Sequence, residues 1–145
     1  MRRSERKRTM PDLGVLAGRL LFAVQREMGE TMEREGFTPL SPRYGAVLAY
    51  LDEDGSRATD LAQLSGQHKQ VIGTLVDEME KLGLVRREPD PADRRAKLII
   101  PTEDGLARMR RSDDIMAEIE ARHEKELGRS AYAAFKQAFQ QITAI

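Results

Sequence analysis

Apolar residues over positions 13–35 recur at mostly helical intervals: Leu13, Leu16, Leu20, Phe22, Val24, Met28 and Met32. A stripe of that period predicts one long helix, and Gly36 stops it. Pro39 and Pro42 then bracket Ser41, a good cap, and Tyr44, Val47, Leu48 and Leu51 predict a second helix ending before the Asp54-Gly55 turn. Ser56 is placed to cap a short helix carrying Leu61, Ala62 and Leu64, closed by Ser65-Gly66. Another follows almost at once over residues 68–81, with Val71, Ile72, Leu75, Val76, Met79 and Leu82 on one face and Gly83 as a left-handed terminator. Two helices joined through so tight a glycine-containing turn form a helix-turn-helix pattern.

The period then changes. Residues 84–88 read as a strand, Pro89-Asp90-Pro91-Ala92-Asp93 as a turn-rich loop, and residues 96–100, rich in Leu and Ile, as a returning strand, which makes a β-hairpin with a long basic loop. Thr102 caps a helix whose first turn holds Glu103 and Asp104, where negative charge suits the helix dipole, and whose apolar residues continue to about Leu127. Gly128 breaks the pattern, and a last helix over residues 130–143 presents Tyr132, Phe135, Phe139 and Ile142. No internal repeat is visible. The basic start, Arg2, Arg3, Arg6, Lys7 and Arg8, reads as a disordered arm.

Composition narrows the chemistry. A chain of 145 residues supports one core. Lys and Arg balance Asp and Glu at 24 each, so attraction to nucleic acid has to come from local clusters of cations. The absence of cysteine excludes disulfides, thiolate nucleophiles and cysteine-ligated metals. The basic start and the apolar segment 13–24 have some likeness to a signal peptide, but Arg19 interrupts the segment and no small-residue cleavage site follows. No apolar run approaches the ~20 residues of a membrane span. The reading is a cytoplasmic protein with no membrane association.

The helix over residues 68–81 divides its polar residues unequally: Gln67, His68, Lys69, Gln70 and Thr74 lie in or just before its first half, and Asp77, Glu78 and Glu80 in its second. A helix entering a major groove needs donors and acceptors near its N-terminus, and the acidic half is then expected to point away from the duplex. Arg86, Arg87, Arg94, Arg95 and Lys97 put five cations into the hairpin that follows, against Glu88, Asp90 and Asp93. A narrow arginine-tipped projection suits the negative potential of a minor groove. Each feature alone is compatible with an ordinary solvated surface; their succession points to DNA.

The runs Leu75-Val76-Asp77-Glu78-Met79-Glu80-Lys81-Leu82-Gly83-Leu84-Val85-Arg86-Arg87, Asp90-Pro91-Ala92-Asp93-Arg94-Arg95-Ala96-Lys97 and Thr102-Glu103-Asp104-Gly105 resemble the multiple-antibiotic-resistance regulator (MarR) family. That resemblance implies a mainly α fold with a small β-hairpin wing: a winged helix-turn-helix core over residues 41–101, a long connecting helix over 102–127, and terminal dimerisation helices over 13–35 and 128–145. The family's D-x-R-x-x wing signature falls on Asp93 and Arg95, so Arg95 is expected to enter the minor groove, held by Asp93 through a salt bridge, with Arg94 close to the DNA backbone and Lys97 a further DNA-binding candidate. His68, Lys69, Gln70, Gly73 and Thr74 are expected to face the major groove, Gln67 just ahead of them. Gly73 departs from helix preference, since glycine in a helix interior costs about 0.5–1 kcal/mol relative to alanine. The resemblance further implies a homodimer on a pseudo-palindromic operator, repression of transcription, and a small aromatic or phenolic ligand, for which Met28, Met32, Arg43, Tyr44, Leu48 and Met109 are candidate lining residues. No cofactor, metal site or catalytic residue is expected: His68 and His123 lack convergent partners, and no phosphate loop, nucleophile elbow or H-E-x-x-H spacing occurs. Zero net charge keeps open a module that works through protein contacts, and an enzyme or small-molecule binder reusing the fold is the third alternative.

Overall fold

The computed structural model describes residues 1–144; Ile145, the end of the expected 128–145 segment, lies outside the described residues. The chain divides into two compact units, Met1–Pro39 and Leu40–Ile145.

In the first unit the basic start is helical, not a disordered arm: α1 spans Arg3–Thr9. Glu5 accepts the Arg2 backbone N–H at 2.9 Å, and Arg19 donates to the carbonyls of Lys7 and Arg8 at 3.4 and 3.2 Å, satisfying groups a helix end leaves open. Composition records the mutual repulsion of the arginines but not this distant cap. Asp12 accepts from Val15 N–H at 2.9 Å and pairs with Lys7, starting α2 at Leu13–Arg34. Gly36, at φ +93°, ends the segment as its sequence predicts.

The second unit opens with a 3-10 turn at Pro42–Tyr44 and a short helix α3, Gly45–Leu48, in place of a helix reaching Leu51. Ser41 makes no side-chain cap. Ser56 is not a cap either. Its backbone bonds Ile99 in both directions, at 3.0 and 2.8 Å, and its hydroxyl accepts from Asp52 N–H at 2.9 Å, leaving the cap position of α4, Ala58–Ser65, to Arg57. A residue chosen by its local capping chemistry is thus used to stitch a distant strand to the helical layer. Gly66, at φ +72°, turns the chain into α5, Lys69–Lys81.

Buried Leu61 of α4 and Ile72, Leu75, Val76 and Met79 of α5 pack with Tyr44, Val47, Leu84, Ile99 and Met109 into one core. Val71 and Leu82 belong to the outside instead, at 40% and 52% exposed. The hairpin pairs β1, Val85–Asp90, with β2, Asp93–Pro101. Thr102 then caps α6, Glu103–Leu127: its hydroxyl donates to Gly83 O at 2.6 Å and accepts from Gly105 N–H at 3.1 Å. A Cβ on Gly105 would lie 2.0 Å from the Leu84 carbonyl oxygen, so only glycine lets α6 start so close to the entry of β1. After Gly128, α7 (Arg129–Ile142) buries none of its residues. Tyr132, Phe135 and Phe139 form a row along it, with ring centroids 6.1 and 5.5 Å apart.

Candidate nucleic-acid interface

The first half of α5 is a polar, open surface. His68 occupies the N-cap position, and Gln67, His68, Lys69, Gln70 and Thr74 are all exposed, with Gly73 half-buried among them. The Thr74 hydroxyl donates to Gln70 O at 3.1 Å, so its proton is committed to the helix. Nothing lies within 4 Å of where a Cβ on Gly73 would sit.

The acidic half of α5 is engaged within the protein. Asp77 pairs with Arg87 at 2.8 Å and Glu80 pairs with the same guanidinium, which also donates to Gly73 O at 3.4 Å. Glu78 accepts from the Tyr44 hydroxyl at 3.0 Å and pairs with Arg43, whose guanidinium lies 5.2 Å from the Tyr44 ring centroid. The Tyr44 hydroxyl and Glu78 together raise the Arg43 pKa. Arg86 is likewise occupied, by Glu88 at 2.7 Å. Of the five cations in the hairpin, Arg86 and Arg87 are tied to acidic neighbours, whereas Arg94, Lys97 and Arg95, whose near neighbour is Asp93, lie exposed.

The hairpin differs from its predicted form. The loop expected over residues 89–93 is a two-residue turn, Pro91-Ala92, and both strands run on to it. Register pairs Pro89 with Lys97 and then Asp90 with Asp93, so Arg94, Arg95 and Ala96 have no partners opposite. Pro89 has no N–H to continue the ladder, and the unpaired residues bulge out of it. The bulge carries the cations outward: the Arg95 side chain is 94% exposed. Asp93 accepts from the Arg95 backbone N–H at 3.1 Å and approaches its Nε at 3.5 Å.

A residue the sequence reading left without a role anchors this tip. Asp90 is buried; one carboxylate oxygen accepts from Ala92 N–H at 2.9 Å, and the other receives Arg57 Nε at 2.7 Å and a second guanidinium nitrogen at 2.5 Å. The Ala92 amide first, then Arg57, lowers the Asp90 pKa, and Asp90 in turn raises that of Arg57. The Asp-Pro sequence signals the turn; the Arg57 partner, 33 positions away, has no local signature.

The candidate ligand-lining residues are drawn from both units. Met28, half-buried, and Met32, buried, lie on α2 of the first unit. In the second, Tyr44 and Met109 belong to the core, Leu48 packs against it, and Arg43 is exposed. A concavity of about 550 Å3 lies instead along α2, lined by residues that include Gly14, Gly18, Arg19, Phe22 and Arg26, and none of the six candidates lines it. Among the described residues no group of three or more His, Asp or Glu is placed to hold a metal, and no helix is long and apolar enough to cross a membrane.

A helix-turn-helix followed by an anchored hairpin with outward arginines defines a winged helix-turn-helix protein. Residues 38–96 match the family model MarR_2, MarR family. The transcriptional regulator HosA of Escherichia coli O111:H- is 34% identical over 64 residues, which cover 44% of this chain; the match spans 47% of that relative's own length. The solved structure of CouR from Rhodococcus jostii RHA1 bound to p-coumaroyl-CoA is similar over 90% of this chain and 91% of that one, with 28% identity and a TM-score of 0.70. The transcriptional repressor CouR bound to a 23-mer DNA duplex matches over 90% and 92%, with 26% identity and a TM-score of 0.68. Over its winged-helix part, residues 38–96, the chain is thus similar to the MarR family, and over most of its length it shares the fold of CouR.

Proposed function

We propose that this protein is a sequence-specific, duplex-DNA-binding transcriptional repressor that acts as a homodimer in the cytoplasm and catalyses no reaction. The observation that carries this reading is the bulged wing: Arg94, Arg95 and Lys97 project from the second strand of a hairpin whose turn is tied by Asp90 to Arg57 at the start of α4. Gln67, His68, Lys69, Gln70, Gly73 and Thr74 read the major groove, while Arg95, steadied by Asp93, enters the minor groove. The segments 13–35 and 128–145 supply the dimer contacts, the aromatic row of α7, with Phe135 exposed and Tyr132 and Phe139 half-buried, supporting this. An aromatic or phenolic effector weakens DNA binding by preferring a different spacing of the two DNA-binding lobes; the p-coumaroyl-CoA bound to CouR supports that ligand class.

Selection of bound sequences from random duplex DNA, followed by salt titration on the winning site, tests the proposal. A two-fold-symmetric site is expected, with log affinity falling by about 0.9 per phosphate contact against log salt, and Arg95→Ala weakening binding broadly across sequences. Absence of any enriched sequence at low salt and without effector overturns it in favour of a protein-contact module, the reading that zero net charge favours.

A further inference from the structure

Val71 is out of place for a core residue. Its spacing puts it with Ile72, Leu75 and Val76, yet those three are buried and Val71 is 40% exposed on the opening turn of α5. It stands next to Gln70 and one turn before Thr74, within the open polar surface. Helix stability does not account for it, because a β-branched residue is a weaker helix former than the residues that usually fill solvent faces.

The neighbours explain what such a residue can do there. Polar reading capacity is concentrated at the start of the helix, in Gln67, His68, Lys69 and Gln70. Beyond them Gly73 has no side chain, and Thr74 has given its hydroxyl proton to Gln70 O. The strip from Val71 to Thr74 therefore offers methyl groups and few free donors. In the major groove one base alone presents a methyl group at its edge, thymine at C5, and apolar side chains are what contact it.

We propose that Val71 is a specificity-determining residue that selects thymine at one position of each half-site by packing against its C5 methyl. The inference rests on the DNA-binding reading above and goes beyond it by naming the base and the side chain. It makes recognition there a matter of shape and desolvation, insensitive to the hydrogen-bonding pattern that Gln70 and Lys69 read nearby.

The test uses the full chain and the site obtained by selection, with each thymine replaced in turn by deoxyuridine, which pairs identically but lacks the methyl group. At one position per half-site the substitution is expected to weaken binding about four-fold, the worth of one buried methyl-sized group. Val71→Ala binds the thymine and uracil versions alike, and Val71→Ile keeps the discrimination. Because Val71 is exposed, both variants melt with the parent protein, which circular dichroism checks. Sequence-selective binding indifferent to uracil at every position overturns the proposal and leaves the repressor reading standing. Uracil sensitivity that survives in Val71→Ala overturns it too. Loss of all sequence-selective binding by the parent protein removes both readings together.

Discussion

The winged-helix region and α7 solve the burial problem in opposite ways. Between Tyr44 and Met109 the chain closes a core of its own, in which Val47, Leu61, Ile72, Val76 and Met79 lose all contact with solvent. Over Arg129–Ile142 no residue is buried, although Tyr132, Phe135 and Phe139 form a continuous aromatic row. Glu120 of α6 is a polar clasp on α7: it receives the Tyr132 hydroxyl at 2.6 Å and pairs with Lys136. Burial first and then Glu120 push the Tyr132 phenol up to about 12, so this clasp holds throughout the neutral range. The contrast teaches that the folding of the lobe and the covering of α7 are separable: one is complete within the chain, whereas the other leaves apolar surface that the proposed dimer would cover.

The largest blow to the self-contained region comes from Gly105→Ala. Its new methyl meets the Leu84 carbonyl, and unfolding in urea is expected to show a loss of about 3 kcal/mol. An unchanged midpoint would mean that α6 is not seated against β1. The opposite region is probed by Phe135→Glu, which puts a charge in the aromatic row. Sedimentation should show the dimer dissociation constant raised by about 30-fold, the loss of a hot-spot residue worth about 2 kcal/mol, with the melting of the winged-helix core little changed. Loss of the fold in that variant would erase the distinction between the two regions.

Asp90→Asn acts on the edge of the self-contained region through pH. The carboxyl is held below its usual range in the folded protein, so it contributes stability above the ordinary aspartate value of about 3.9 and loses that contribution as pH falls through the lowered folded value. The parent protein is expected to lose melting temperature through that acid window, and Asp90→Asn to lose less there while starting lower at pH 7. The smallest effect belongs to Gly73→Ala. No atom meets the added methyl, so thermal unfolding should show a gain of about 0.5–1 kcal/mol, set against weaker DNA binding where the helix backbone approaches the bases.

Local chemistry was legible in the sequence and non-local use of the same chemistry was not. Gly66 and Gly83 turn with positive φ where their positions predict, and Thr102 caps the helix it precedes. Ser56 carries the same kind of capping signal, but Ile99 claims its backbone. The row of cations in the wing is visible in the sequence, whereas which of them are tied down depends on Asp77, Glu80 and Glu88, whose roles follow from packing. The wing's length was misread for a similar reason. Prolines mark a turn, but the bulge that lets pairing continue past Pro89 is fixed by Asp90 and its distant Arg57. Val71 shows the limit of periodicity itself: at the margin of an apolar stripe, spacing does not say which side of the surface a residue ends on.

The Arg87 cage also sets what the lobe can do as a measuring device. One guanidinium joins the root of the hairpin to three separate positions along α5, Gly73, Asp77 and Glu80. The helix and the hairpin root consequently turn together like two arms of a fixed bracket, and the span between their tips is built in during folding. In the proposed dimer, two such brackets would tune their grip by how far apart they stand, each keeping its own gauge as long as Arg87 holds.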